Sequence, residues 1–350
     1  MKFTIRDAKP EDSNKLIELT SLAPMKGIIG LRIDRKPDFF RLLNLSESYI
    51  LLVAEDNIQQ IIGCFAATKH SMCIDGKTSI VYYLRDLKIH PDYKGSILGY
   101  KLVKTMYNRL LKANADILCC TMAAENDAVL PFFSGRANIP AFTEVSKYKV
   151  YQLLPSYYSK LSNKVNTTGN SKLASCFADY FKKYSLRPSE VALVEQKDCI
   201  HFTSGTNNID AAIAAFDPFP YKQNVVTHYS LSIATLLTML KILKRILKLP
   251  SLPKKFVPLK IIYAKYYAYT PHKEQSLKNV IQQLRHYAFS QDYHLVAIAA
   301  DEKDEELNRL LKPLSRFVFK SSLLATTLKN NEELLCKMKQ GICYEDYSLA

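Results

Sequence analysis

The sequence predicts an α/β protein of two similar units, each a mixed, mostly antiparallel sheet flanked by helices. Three observations carry this reading. Short runs rich in β-branched and aromatic residues alternate with helical patterns through residues 3–154. A chain of 350 residues is long for one core. The second half also reads as a copy of the first. Residues 80–127 lay over residues 260–306 with Pro91 on Pro271, and an internal duplication is the economical explanation.

Each element has its own signal. Residues 3–6 read as a short strand. The acids and proline of 7–12 mark a helix start, and a helical pattern follows through Leu16, Ile17 and Leu19. A second helix is expected over 36–45. Strands are expected over 49–55, 60–70 and 78–89, the last two joined at the tight-turn pair Asp75-Gly76. A loop, 90–96, leads to a helix over 97–113. Residues 117–122 read as a buried strand, 126–133 as a helix and 142–154 as closing strands. The polar stretch 156–170 marks the boundary, giving domains 1–157 and 158–350. In the second half, helices are expected over 171–184, 231–249, 275–289 and 305–311. Strands are expected over 191–195, 201–203, 259–269, 294–300 and 317–327, with an apolar run at 211–216.

Composition narrows the function. The net charge of +15 attracts anions such as a phosphorylated cofactor, acidic lipid or nucleic acid, and a solvated Lys-rich surface explains it equally well. No aromatic-basic motif points to specific nucleic-acid binding. The basic helix over 231–249 reads as a cover for the sheet or as a helix for a membrane surface or partner. No apolar run is long enough for a transmembrane segment, and the first residues lack a signal-peptide core. The 8 cysteines have no metal-like spacing, so no metal and no disulfides are expected, and the chain reads as cytoplasmic.

The most informative segment runs from Tyr83 to Leu102. A strand ends at Ile89, a loop follows, and a helix opens near Ile97. The first turn of a helix carries unpaired N–H groups and partial positive charge, a ready phosphate site. Gly95 lets the loop turn tightly. Gly99 lies inside the helix at a cost of about 1 kcal/mol, which indicates close packing on the first turn.

This segment resembles motif A of the GCN5-related N-acetyltransferase (GNAT) superfamily, Arg/Gln-x-x-Gly-x-Gly/Ala. Lys94 stands at the first position and Gly99 at the last, while Ile97 replaces the middle glycine and Gly95 lies two positions earlier. The resemblance covers residues 3–154, and the second half resembles the degenerate second domain of tandem members. Its loop, 270–276, has no glycine, so no CoA site is expected there. The resemblance implies that Lys94, Gly95, Ser96, Ile97, Leu98 and Gly99 hold the pyrophosphate of acetyl-CoA. It implies that Leu87, Lys88 and Ile89 pair with the pantetheine arm on a strand that bulges and splays.

It also implies acyl transfer to an amine acceptor, with Asp86 as the base and His90 as a second candidate. Asp86 pairing with Arg85, Lys88 or a neighbouring strand, and His90 as an ordinary strand-end residue, are the alternatives. The family's Asn-x-x-Ala-x-x-Phe-Tyr pattern maps Asn126 and Phe133 to the cofactor. Phe133 stands where the family has a tyrosine acid, so Tyr83, Tyr82 or water is left to protonate the thiolate. The expected function is an N-acetyltransferase using acetyl-CoA on a primary amine. The alternative is a catalytically weak acyl-CoA-binding or interaction protein that keeps the fold.

Overall fold

The computed structural model describes residues 2–22, 29–124, 131–136, 138–158, 170–196, 198–205, 208–243, 250–329 and 331–350. The first half contains β1 (Phe3–Asp7), α1 (Ser13–Ser21), β2 (Ile29–Asp34), β3 (Ser48–Asp56), β4 (Ile61–Ile74), β5 (Lys77–Ile89), α2 (Leu98–Lys112), β6 (Ile117–Ala123) and β7 (Thr143–Leu153). The second half opens with α3 (Asn170–Phe181), β8 (Tyr184–Pro188), α4 (Glu190–Glu195), β9 (Cys199–Ser204), β10 (Ala211–Phe216), β11 (Gln223–Tyr229), α5 (Leu231–Leu243) and β12 (Pro258–Leu259). It continues through β13 (Ile261–Tyr269), α6 (Glu274–Ser290), β14 (Leu295–Asp301), α7 (Glu305–Leu311), β15 (Phe317–Thr327), α8 (Glu332–Gln340) and β16 (Ile342–Cys343).

The local signals that work have visible causes. Asp75 and Gly76 both take positive φ (48° and 82°), which a tight hairpin turn between β4 and β5 requires. In α2, Leu98, Leu102, Val103, Met106 and Leu110 recur at helical spacing and bury against Leu52, Ile62 and Phe65 of the sheet. Asn114, with φ 56°, ends that helix.

Most strands form one sheet in the order β1-β3-β4-β5-β6-β15-β7-β14-β13-β10-β9, with β8 joining β4 and β16 joining β8. The halves interlock. β15 lies between β6 and β7, pairing Leu324 with Cys120 and Leu323 with Ser146. β7 in turn pairs with β14, placing Tyr151 opposite Ile298. A smaller sheet, β12-β11-β2, joins the halves again.

The duplication is visible in the geometry. β5 pairs in parallel with β6 over Val81–Tyr83 only, and β13 pairs with β14 over Ile261–Tyr263 only. Beyond those residues each pair diverges. Both central strands also bulge. Cys64 faces Lys88 and Ala66 faces Arg85, so Asp86 and Leu87 stand opposite Phe65 alone. On β13 the extra residue is Lys265, between Ala264 and Tyr266.

Several expectations need correction. Residues 36–45 form two 3-10 turns, Phe39–Arg41 and Leu43–Leu45, rather than a helix. Phe39, Phe40, Leu42 and Leu43 are all buried, which leaves no continuous polar face for an amphipathic helix. Residues 191–195 belong to α4 rather than a strand, because Ser189 Oγ accepts the Ala192 N–H and caps a helix. The expected strands over 142–154 are the one long strand β7. The helix expected over 126–133 falls mostly outside the described residues, and its end, residues 131–133, is a 3-10 turn. Likewise 244–249 of the expected basic helix lie outside them. Among the described residues, no helix is long and apolar enough to cross a membrane.

Candidate functional site

The loop between β5 and α2 bonds the amides of Asp92, Tyr93, Lys94, Ser96 and Leu98 locally, and among the described residues it leaves those of Gly95, Ile97, Gly99 and Tyr100 without a partner. His90 Nδ1 accepts the Asp92 N–H at 3.4 Å and caps the turn Pro91–Tyr93, and its ring meets Tyr93 edge-on. Gly95 has φ 77° and open space where a Cβ would stand. It is there for its backbone angle, and among the described residues nothing packs over it. Ser96 Oγ donates to the Tyr93 carbonyl at 2.7 Å and accepts the Leu98 N–H at 3.3 Å. The Lys101 N–H bonds the Ile97 carbonyl at 3.0 Å, so the first-turn amides of α2 have no partner within the helix. That turn carries no acid. Lys94 is exposed at its mouth, and the Ile97 side chain is 61% exposed. The result is an open, electropositive helix end suited to phosphate.

Gly99 has a different reason. A Cβ there would stand 2.7 Å from two ring atoms of Phe132, whose ring also packs on Tyr100 at 5.0 Å. Phe132, which the sequence reading passed over, is therefore the aromatic residue against the first turn. Phe133 points the other way. It is 7% exposed and packs on Phe142 at 4.7 Å within the core. Asn126 lies outside the described residues.

Leu87, Lys88 and Ile89 are half-buried on the stretch of β5 past its last β6 partner, Tyr83. One edge of this stretch bonds β4. The other edge has left the β6 ladder, so its backbone groups are available for an extended ligand.

The opposite face carries buried charge. Asp86 takes φ 55° at the bulge. Its carboxylate is bound by Arg35, with Arg85 Nε at 3.4 Å. Burial alone would raise its pKa, but Arg35, Arg85 and Lys88 outweigh that and hold it at about 2. Arg35 is 1% exposed and also lies over the Phe39 ring at 5.2 Å. A carboxylate held this way is a poor proton acceptor near neutral pH. Lys222 is buried in the same region, bonded to the Ala350 carbonyl. Burial, Arg85 and Arg35 push its ammonium down to about 7.

Tyr83 is half-buried in the adjoining apolar cluster, its hydroxyl pushed well above the ordinary tyrosine range by burial and the nearby Glu345. Glu345 belongs to the last segment, 344–350. It lies beside Asp346, Thr121, Arg85 and Tyr83, and burial first, then Asp346, push its carboxyl up to about 8.

The structure thus brings Tyr83, Asp86 and the loop Lys94–Gly99 onto one strand–loop–helix unit, sets His90 to capping and Phe133 into the core, and adds Arg35, Lys222, Phe132 and Glu345. Glu345 has no local motif, and only the packed chain places it beside β5. Among the described residues, no group of His, Cys, Asp and Glu is arranged to hold a metal.

No protein-family model matches the chain, and no curated protein sequence does. Solved structures do. An N-myristoyltransferase from Saccharomyces cerevisiae with bound myristoyl-CoA is 12% identical, at a TM-score of 0.60 over 92% of this chain and 82% of that one. A second structure of that enzyme with myristoyl-CoA gives 13% identity and a TM-score of 0.61 over 93% and 79%. A protein from Enterococcus faecalis described as a probable N-acyltransferase is 9% identical, at a TM-score of 0.50 over 94% and 73%. The full-length likeness shows the fold of these structures, a tandem GNAT fold.

Proposed function

We propose that the protein is an N-acyltransferase that moves an acyl group from a CoA thioester to a primary amine. One observation carries the reading: a single unit combines a bulged strand, a backbone edge freed beyond Tyr83, and an open, acid-free helix end behind Gly95. The amides of Gly95, Ile97 and Gly99 and the Lys94 side chain take the pyrophosphate, on a loop that the Ser96 and Leu98 amides hold in shape. The free edge at Leu87, Lys88 and Ile89 pairs with the pantetheine amides. The amine attacks the thioester carbon and the thiolate leaves. Asn126, beyond the described residues, remains a proposed cofactor contact. The likeness to an enzyme that holds myristoyl-CoA supports counting longer acyl-CoA among the donors. The acceptor is a small molecule or a protein amine. A cytoplasmic site of action accords with the free thiols of all eight cysteines.

The test is thermal. Acetyl-CoA and myristoyl-CoA are added to the wild type and to Gly95→Glu, which fills open space with an anion at the phosphate site. The melting temperature rises with at least one donor in the wild type, and Gly95→Glu abolishes the rise. Equal shifts in both proteins would overturn the loop assignment. A screen with labelled acyl-CoA over amines, amino acids and lysine peptides then reads turnover. A second reading, a weakly active acyl-CoA-binding protein, is favoured by Phe133 lying in the core where the family carries its acid. Binding without turnover on every amine would select it.

A further inference from the structure

The proposed reaction needs a group that takes a proton from the attacking amine, and the two candidates, a carboxylate on β5 and an imidazole just past it, are occupied. Asp86 is clamped by Arg35 beside Arg85, and His90 Nδ1 caps the next turn. The chain supplies another carboxyl from its far end.

After β16 the backbone crosses from the second half into the first. The Tyr344 N–H bonds the Leu186 carbonyl at 2.8 Å, and Asp346 pairs with Lys265 at 3.2 Å. The Tyr347 hydroxyl meets Ser321 Oγ on β15, and Arg85 donates to the Leu349 carbonyl. These anchors on β8, β13, β15 and β5 lay the segment across the sheet at the point where β5 and β6 part. The last paired residues there are Tyr83 and Cys119. Arg85 and Thr121 are the next residues on the same face, and the anchors at Tyr344 and Tyr347 on either side of Glu345 place it beside Tyr83, Arg85 and Thr121.

The place matches the donor. From Ile89, where the phosphate loop begins, back to Tyr83 is six residues of strand, about 20 Å at about 3.3 Å per residue. An extended pantetheine arm covers that span, which brings the thioester to the point of divergence.

We propose that Glu345 is the proton acceptor for the attacking amine, an assignment that rests on the function proposed above. As the C–N bond forms, an N–H proton passes to the Glu345 carboxylate. The C–S bond breaks with its electron pair on sulfur, and the thiolate takes that proton back, which restores the enzyme. The titratable groups around Glu345 are Tyr83 and Arg85 on β5, Cys119 on the same face of β6 with Cys120 on its other face, and Tyr148 on β7. Cys343, Tyr344, Asp346 and Tyr347 adjoin it along its own segment. Among them Arg85 alone is cationic, and it is shared with Asp86. A carboxyl raised to about 8 is matched to proton transfer near neutrality.

The experiment compares wild type, Glu345→Gln and Glu345→Asp. It reads CoA thiol release from acetyl-CoA and from myristoyl-CoA with a panel of primary amines, and with water alone, from pH 5.5 to 9.5. In the wild type, kcat rises with pH through a limb near 8. Glu345→Gln lowers kcat by about 100-fold, in the range of a lost general base, and removes the limb. Glu345→Asp keeps part of both, and the acyl-CoA melting shift is the same in all three. Wild-type kcat with an unchanged limb in Glu345→Gln would overturn the assignment. So would a Glu345 carboxyl resonance that titrates below pH 5 in the wild type, a measurement that needs no turnover. Loss of the acyl-CoA shift in the wild type itself would instead strike the proposed function.

Discussion

Asp86→Asn separates a structural role from a catalytic one. Asparagine keeps the shape of the side chain and tolerates the φ of 55° at the bulge, so the substitution removes charge and little else. The Arg35 guanidinium, 1% exposed, then keeps its charge without its carboxylate partner. Breaking a buried pair from one side costs about 3–5 kcal/mol. The depressed carboxyl gives a second figure. The Asp86 carboxyl falls from 3.8 to about 2 on folding, which corresponds to about 2 kcal/mol of stability. Because the folded value is depressed, this stability is full above pH 3.8 and is lost as pH falls through 2. Urea unfolding at pH 7 should show Asp86→Asn less stable by about 3 kcal/mol. The gap to wild type should narrow below pH 3.8 as the wild-type carboxyl protonates. The double substitution Arg35→Met, Asp86→Asn should recover most of the loss, since it removes the unpaired guanidinium and keeps a residue that tolerates this φ. A loss under about 1 kcal/mol combined with a 100-fold fall in kcat would refute the reasoning, because Asp86 would then be a base and not a strut.

Other consequences follow from the same contacts. Phe133→Tyr should not restore an acid. It buries a hydroxyl against Phe142 and should cost about 1–3 kcal/mol, read by urea unfolding, with kcat no higher than wild type. Gly95→Ala should weaken acyl-CoA binding only through the strain of a side chain at φ 77°, about 1 kcal/mol, whereas Gly99→Ala should also displace the Phe132 ring; binding titrations of both proteins give the order. Glu345→Gln should raise the melting temperature more at pH 9 than at pH 6. The folded carboxyl is raised above its unfolded value of 4.5, so stability falls as pH rises through about 8, and the amide escapes that loss. A fragment of residues 1–157 should show no cooperative unfolding by circular dichroism. It lacks β15, which pairs with β6 along Ile117–Ala123, and it leaves β7 without either of its partners, β15 and β14.

What could be read from the sequence was local chemistry. The Asp75-Gly76 turn, the apolar face of α2 and the loop at Gly95 each depend on neighbours within a few residues, and each stands where expected. Gly99 was informative for its packing, but the partner was Phe132, one residue from the aromatic position that the family pattern indicated. The misreadings have the opposite character. β2 pairs with β11, nearly two hundred residues away in sequence, and no pattern in 29–34 announces that. Residues 36–45 looked helical because they are apolar, yet burial on all sides let the chain tighten into two turns.

The exchange of strands explains why the site itself was only half legible. β7 ends the first half but pairs with β14, and β15 belongs to the second half but pairs with β6. β6 has β15 on one side, while on the other it leaves β5 after Cys119. The far end of the chain leaves β16 next to β8, itself bonded to β4, and runs over that divergence. The second half thus completes the first sheet and carries Glu345 to the parted strands in one arrangement. Its own loop over 270–276 has no glycine, as the sequence indicates, while its bulge residue Lys265 binds Asp346 one position from Glu345. A half whose own loop carries no glycine thereby shapes the site proposed on the other half. Removing the Lys265–Asp346 anchor with Lys265→Met should accordingly shift the pH limb assigned to Glu345, although Lys265 lies on the second domain's central strand. An unchanged limb would separate the two halves functionally, leaving the second as a scaffold for the sheet alone.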